Sequence, residues 1–113
     1  MVTVDTFWAK IYLGCKHTET GIIYPIEMVK EICQKHCDEI GLCVTVTPTE
    51  YIYTDGNEPG AEIGLINYPR FPSTPEVVRK RAIELAQILK RKTQQHRVSI
   101  MMPDETVMLG DEE

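Results

Sequence analysis

Tyr68, Arg70, Phe71 and Ser73 stand within six positions and form the stretch of this 113-residue sequence best equipped to hold a ligand. They precede a segment that reads as a helix, so its backbone N–H groups and dipole would face whatever they bind. Arg70 adds a planar fork of donors suited to phosphate or carboxylate, and the aromatic rings offer stacking faces. A small anionic ligand, a nucleotide above all, is the chemistry these groups would take. The competing structural reading has Ser73 or Thr74 capping the helix while Phe71 packs on the core. Lys16 and His17, on an early loop, are the cations expected to join the site from a second copy of the chain.

His17 and His96 are the side chains able to move protons near neutral pH. They are expected at opposite ends of the fold, so they should not meet within one subunit. Cys33, His36 and Cys37 share one side of a helix at i, i+3 and i+4, a spacing that can hold zinc, with Cys15, His17 and Cys43 as further donors. The spacing is not C-x2-C, and Cys33 and Cys37 fall on the apolar face, where thiols behave as small hydrophobes. No metal and no cofactor is therefore expected. Walker, G-x-G-x-x-G and H-E-x-x-H patterns and a Ser-His-Asp order are absent.

Composition bounds these options. The apolar fraction of 42% and charged fraction of 26% are ordinary for one globular domain, expected over residues 1–113 with an acidic tail at 110–113. The net charge of −5 argues against a general nucleic-acid partner. Eight of the twelve basic residues nevertheless fall between Arg70 and Arg97, against Glu76 and Glu84 alone. That strip reads as a solvated helix face. No apolar run suits a membrane, and the start MVTVDTFWAK lacks a signal layout, so a cytoplasmic protein with free thiols is expected.

The elements that must position these groups follow from periodicity. Thr6 to Gly14 alternates Phe7, Ala9, Ile11 and Leu13 against Trp8, Lys10 and Tyr12, a strand pattern. After a loop and Pro25, Ile26, Val29, Cys33, Cys37 and Ile40 mark one helical face, and Gly41 suits its C-cap. Leu42 to Thr47 reads as a second strand that Pro48 interrupts and Tyr51-Ile52-Tyr53 continues. Residues 54–60 read as a turn, and Ala61 to Tyr68 as the returning strand. Ser73 with Glu76 and Thr74 with Pro75 give two overlapping helix starts; Val78, Ala82, Leu85 and Leu89 form the buried stripe. Val98, Ile100 and Met102 mark the last strand, with Thr106–Leu109 as a short hairpin partner.

This β-α-β-β-α-β order predicts an α+β, ferredoxin-like sandwich: an antiparallel sheet in order 4-1-3-2 with both helices on one face. The second strand is then an edge, where Pro48 is tolerable. The bare face would carry Trp8, Lys10, Tyr12, Cys43, Thr45, Ile66, Tyr68 and Met101. So apolar a face predicts a homo-oligomer interface at Trp8, Tyr12, Ile66 and Met101. RNA-recognition domains use such a face to stack bases, but Glu62-Ile63-Gly64-Leu65-Ile66 stands where their aromatic motif would be.

Ile11-Tyr12-Leu13-Gly14, Gly41 before the second strand, Glu62 opening the third and Gln95-His96-Arg97-Val98 before the last form a pattern spanning nearly the whole chain. In it the sequence resembles a small ferredoxin-like family of unknown function found in bacteria and their phages. Tyr51-Ile52-Tyr53 replaces that family's long aromatic strand ending in tryptophan. The resemblance implies the fold and supplies no catalytic residue. The functional expectation is a non-catalytic homo-oligomer binding a small anionic ligand, as a phage protein sequestering a nucleotide signal would. A phosphate-handling or metal-assisted enzyme using His17 or His96, and a purely protein-binding module, are the alternatives.

Overall fold

The computed structural model describes residues 1–110; the acidic residues Asp111, Glu112 and Glu113 of the expected tail lie outside the described residues. The elements run β1 (Trp8–Gly14), α1 (Ile26–Ile40), β2 (Thr45–Tyr53), β3 (Gly56–Ile66), α2 (Pro75–Lys92), β4 (Arg97–Met101) and β5 (Thr106–Gly110). All strand pairs are antiparallel, in the order β2-β3-β1-β4-β5. This is the α+β, ferredoxin-like arrangement with 4-1-3-2 at its heart, extended by β5 beside β4.

Alternation decides which side of the sheet is dry. Ile11, Leu13, Ile63, Val98 and Ile100 point into one core with Val29 of α1 and Leu85 and Leu89 of α2. Each such burial contributes about 1.5–3 kcal/mol. In α1 the buried stripe is Val29, Cys33 and His36, while Cys37 is half-buried and Ile40 is 39% exposed. Steps of three and four both satisfy helical spacing, and packing takes His36 inward where the sequence suggested Cys37.

Two other boundaries differ from the sequence reading. β2 runs unbroken through Pro48, which pairs with Ala61 at the sheet edge and has no outer neighbour to serve. The reversal uses only Thr54 and Asp55, with Asp55 at φ 62°, so Gly56 to Gly60 are strand instead of turn. At α2, Thr74 wins the competition for the cap, its Oγ1 accepting from the Val77 N–H at 3.3 Å. The Ser73 N–H instead donates to Asn67 Oδ1 at 2.8 Å, and Asn67 Nδ2 donates to the Asp5 carbonyl at 2.8 Å. Buried Asn67 thus ties three chain segments together. Arg79 of α2 pairs with Glu105 Oε2 at 2.6 Å and with Asp104, and its guanidinium lies 5.5 Å over the Phe7 ring. This latch holds the β4–β5 turn against the helix.

Candidate functional site

The loop between β3 and α2 borders a cavity of about 440 Å³. Tyr68, Phe71 and Ser73 line it, together with Leu42, Leu65, Val78, Cys37, Cys43 and Arg81. Arg70 is not in the lining; its guanidinium sits 5.5 Å over the Phe71 ring at the surface. The helix-start donors are partly spent, because the Ser73 N–H serves Asn67 and the Val77 N–H serves Thr74. A hydrogen bond with the Cys43 thiol, and then burial, pushes the Tyr68 hydroxyl above its ordinary pKa. The cavity is therefore more apolar than the sequence implied.

Lys16 and His17 follow β1 at the far end of the sheet. Trp8 pairs with Ile66 beside the cavity loop, whereas Gly14 pairs with Gly60 beside Lys16. One subunit does not bring these two groups together. The His17 Nδ1 accepts from the Thr20 N–H at 3.0 Å within its own loop. The expected separation of His17 from the His96 region does not hold. Gln95 Nε2 donates to the Lys16 carbonyl at 2.9 Å, and His96 Nε2 lies 3.8 Å from Glu19. The reason is register: β1 and β4 are antiparallel neighbours, Tyr12 opposite Ser99, so the end of one lies beside the start of the other.

The face of the sheet away from the helices carries Trp8, Tyr12 and Met101, half-buried, and Ile66, half of it exposed. It also carries a cluster that sequence reasoning missed. Odd positions of β2 and even positions of β3 share this face, which places Tyr51, Glu58 and Glu62 together with Tyr12 and Lys10 of β1. Gly14 and Gly60, opposite one another, form its floor. A Cβ on Gly60 would stand 2.2 Å from Tyr51 Cε2 and 2.4 Å from the Leu13 carbonyl. A Cβ on Gly14 would meet Gln95 Oε1 at 2.8 Å and Glu58 Oε1 at 3.2 Å. Tyr51 lies on the sheet because Gly60 leaves room, and its hydroxyl donates to the Ala61 carbonyl at 3.2 Å.

Burial first, and the neighbouring Glu62 carboxylate second, push the Tyr51 hydroxyl well above its ordinary pKa, so it remains a donor. Lys10 Nζ lies 3.5 Å from Glu62 Oε1, in a half-exposed pair. Behind the floor, burial and then Glu58 push the Cys15 thiol up to about 11. The signal in the sequence was the alternation of Tyr51 and Tyr53 against Glu58 and Glu62. Reading residues 54–60 as a turn concealed it.

Two solved structures share this architecture. A phage SAM lyase in complex with S-methyl-5'-thioadenosine matches with a TM-score of 0.77 at 15% identity, over 99% of this chain and 95% of that one. A phage SAM lyase in the apo state matches with a TM-score of 0.70 at 15% identity, over 95% and 90%. No family model and no curated protein matches the chain. At this identity the likeness is one of fold.

The non-catalytic reading does not survive that finding. The phage structures sharing the fold are of an enzyme, one of them holding a nucleoside, so the expected ligand-sequestering homo-oligomer without catalysis is withdrawn. Of the described residues, no helix is long and apolar enough to cross a membrane. Cys33 is buried in the core, where burial and then Cys37 raise its thiol to about 12.

Proposed function

We propose that this chain is a lyase of S-adenosylmethionine, acting on the open sheet face around Tyr51, Glu58 and Glu62. One observation carries the reading: two carboxylates and two tyrosines gathered over a glycine floor, in a fold shared with phage SAM lyases. The substrate is a sulfonium cation that also bears an ammonium and a carboxylate. An acidic, aromatic surface attracts such a cation, and ring faces stabilise it. The cavity at the start of α2 has the opposite character, since the one ionised side chain in its described lining is Arg81.

The bond to break joins the sulfonium sulfur to Cγ of the methionine portion. Its electron pair leaves on sulfur, giving neutral S-methyl-5'-thioadenosine. The substrate's own carboxylate oxygen attacks Cγ and closes a five-membered ring, so the second product is homoserine lactone carrying the ammonium. No water or co-reactant is consumed, and the positive charge passes entirely to the lactone fragment.

Because charge on sulfur vanishes along this path, a carboxylate held against sulfur would favour the ground state over the transition state. Glu58 and Glu62 are therefore assigned to the ammonium, whose charge persists. The rings of Tyr12 and Tyr51 are assigned to the adenosine and the sulfonium methyl. Tyr51 stays protonated with its hydroxyl hydrogen on the Ala61 carbonyl, so its ring, held in place by that bond, is what it offers the substrate. The protein's main contribution is to hold the chain folded for ring closure and to exclude water.

Exclusion of water calls for a cover, because Glu62, Tyr12 and Lys10 are only half-buried. A second copy of this chain across Trp8, Tyr12, Ile66 and Met101 supplies it in this proposal, and the cytoplasm, where the substrate is made, is the compartment. The test is incubation of the purified protein with S-adenosylmethionine and chromatography of the products against a protein-free blank. Equimolar S-methyl-5'-thioadenosine and homoserine lactone above the blank support the reading. Formation no faster than in the blank sinks it.

A further inference from the structure

The cavity at the start of α2 has no part in the chemistry assigned to the sheet face. We infer that it is a second ligand site, for a small molecule with a flat apolar body and one anionic group, and that Arg81 holds the anion. This does not rest on the lyase reading. A volume of about 440 Å³ falls within the range usual for small-molecule sites, which are mostly apolar with a few convergent polar groups. Leu42, Leu65 and Val78 provide apolar walls, and the Phe71 ring at the rim is 68% exposed. A large aromatic left in water beside a concave apolar surface is a feature that a ligand would cover.

Charge chooses the ligand class. Arg79 pairs with Asp104 and Glu105, and Lys80 lies 3.9 Å from Glu84, so the cations on either side of Arg81 are engaged. Arg81 is half-buried, lines the cavity, and has no ion pair among the described residues. No carboxylate is in the described lining to balance it. A guanidinium fork in an apolar setting pairs best with a planar carboxylate or a sulfonate. The Ser73 N–H is taken by Asn67 and the Val77 N–H by Thr74, so the Arg81 side chain supplies the charge that recognises the anion. Aryl or acyl carboxylates have the required chemistry, and a sulfonium cation does not.

The probe is 8-anilinonaphthalene-1-sulfonate, compared with uncharged N-phenyl-1-naphthylamine, titrated by fluorescence into the folded, full-length protein. The expected result is saturable one-to-one binding of the sulfonate. Arg81→Gln should weaken it by about tenfold or more, the size of a lost charge-assisted hydrogen bond. The uncharged probe should bind both proteins alike. Location is read separately through Cys43, the exposed thiol on the cavity lining. Saturating sulfonate should protect Cys43 from N-ethylmaleimide, as seen by peptide mass spectrometry. Equal sulfonate affinity in Arg81→Gln, unprotected Cys43 or an absence of saturable binding would each overturn the assignment.

Discussion

The open sheet face and the cavity at the start of α2 are built from the same kinds of residue, yet the ligands proposed for them are opposite in charge. Both present tyrosines near glycines, Tyr51 over Gly60 on the sheet and Tyr68 beside a cavity that Gly41 lines. On the sheet the charged neighbours include Glu58 and Glu62, whereas in the cavity Arg81 stands without a carboxylate. Aromatic surface supplies affinity in either place. The sign of the charge held beside it selects the cation or the anion.

Exchanging one charge in each region tests that contrast most strongly. Glu62→Gln should lower the rate of S-methyl-5'-thioadenosine formation at low substrate by about tenfold or more, through a raised KM with kcat little changed, because the ammonium keeps its charge through the transition state. Arg81→Gln should leave that rate unchanged while weakening sulfonate binding by about tenfold or more. A variant pair that behaved the other way round would place the substrate in the cavity.

The glycines separate the regions next. Gly60→Ala would drive a Cβ to 2.4 Å from the fixed Leu13 carbonyl, which cannot rotate away. Overpacking of this kind costs about 1–3 kcal/mol. Gly41 has φ 69° and nothing within 4 Å of its would-be Cβ, so Gly41→Ala should cost only the left-handed strain, about 1 kcal/mol. Urea unfolding of both variants measures the order, and equal losses would show that the sheet-face floor is not tight.

Alkali should affect the protein through two buried thiols of the core, Cys15 and Cys33. Cys15 is raised to about 11 and Cys33 to about 12, against 9.0 for an ordinary thiol, chiefly by burial. In the unfolded chain these thiols ionise first, so the stability they contribute is complete below pH 9 and is lost as pH rises through 11 and 12. Unfolding free energy followed from pH 8 upward should fall only above pH 9. A decline that began lower would assign the pH dependence to other groups.

The smallest expected effect concerns two neighbouring arginines. Arg79→Gln removes the latch to Asp104 and Glu105 and should lower stability by about 1 kcal/mol, because that pair is partly exposed and solvent-screened. Arg81→Gln, lacking an ion pair among the described residues, should leave the melting temperature unchanged. A matching loss in both would mean that Arg81 serves the fold.

Period-two and period-3.6 patterns revealed the elements and their order, because the apolar residues that build this core must recur on one face of each element. Pro48 at the edge strand and Gly41 in the left-handed C-cap were legible for the same local reason: backbone geometry restricts which residues can stand there. The extent of β2 and β3 was less legible, since Thr54-Asp55-Gly56-Asn57-Glu58-Pro59-Gly60 is dense in turn formers although only the first two turn. Pairing across the hairpin overrode that preference.

Local sequence thus determined the α+β class, the helix limits and the aromatic loop beside α2. Tertiary structure alone decided that Tyr51 and Glu62 meet, that Gln95 reaches Lys16, and that Arg81 lines the cavity while Arg70 does not. Strand register and helix docking fix those distances. Both arise from contacts between residues far apart in the chain, which no local pattern records.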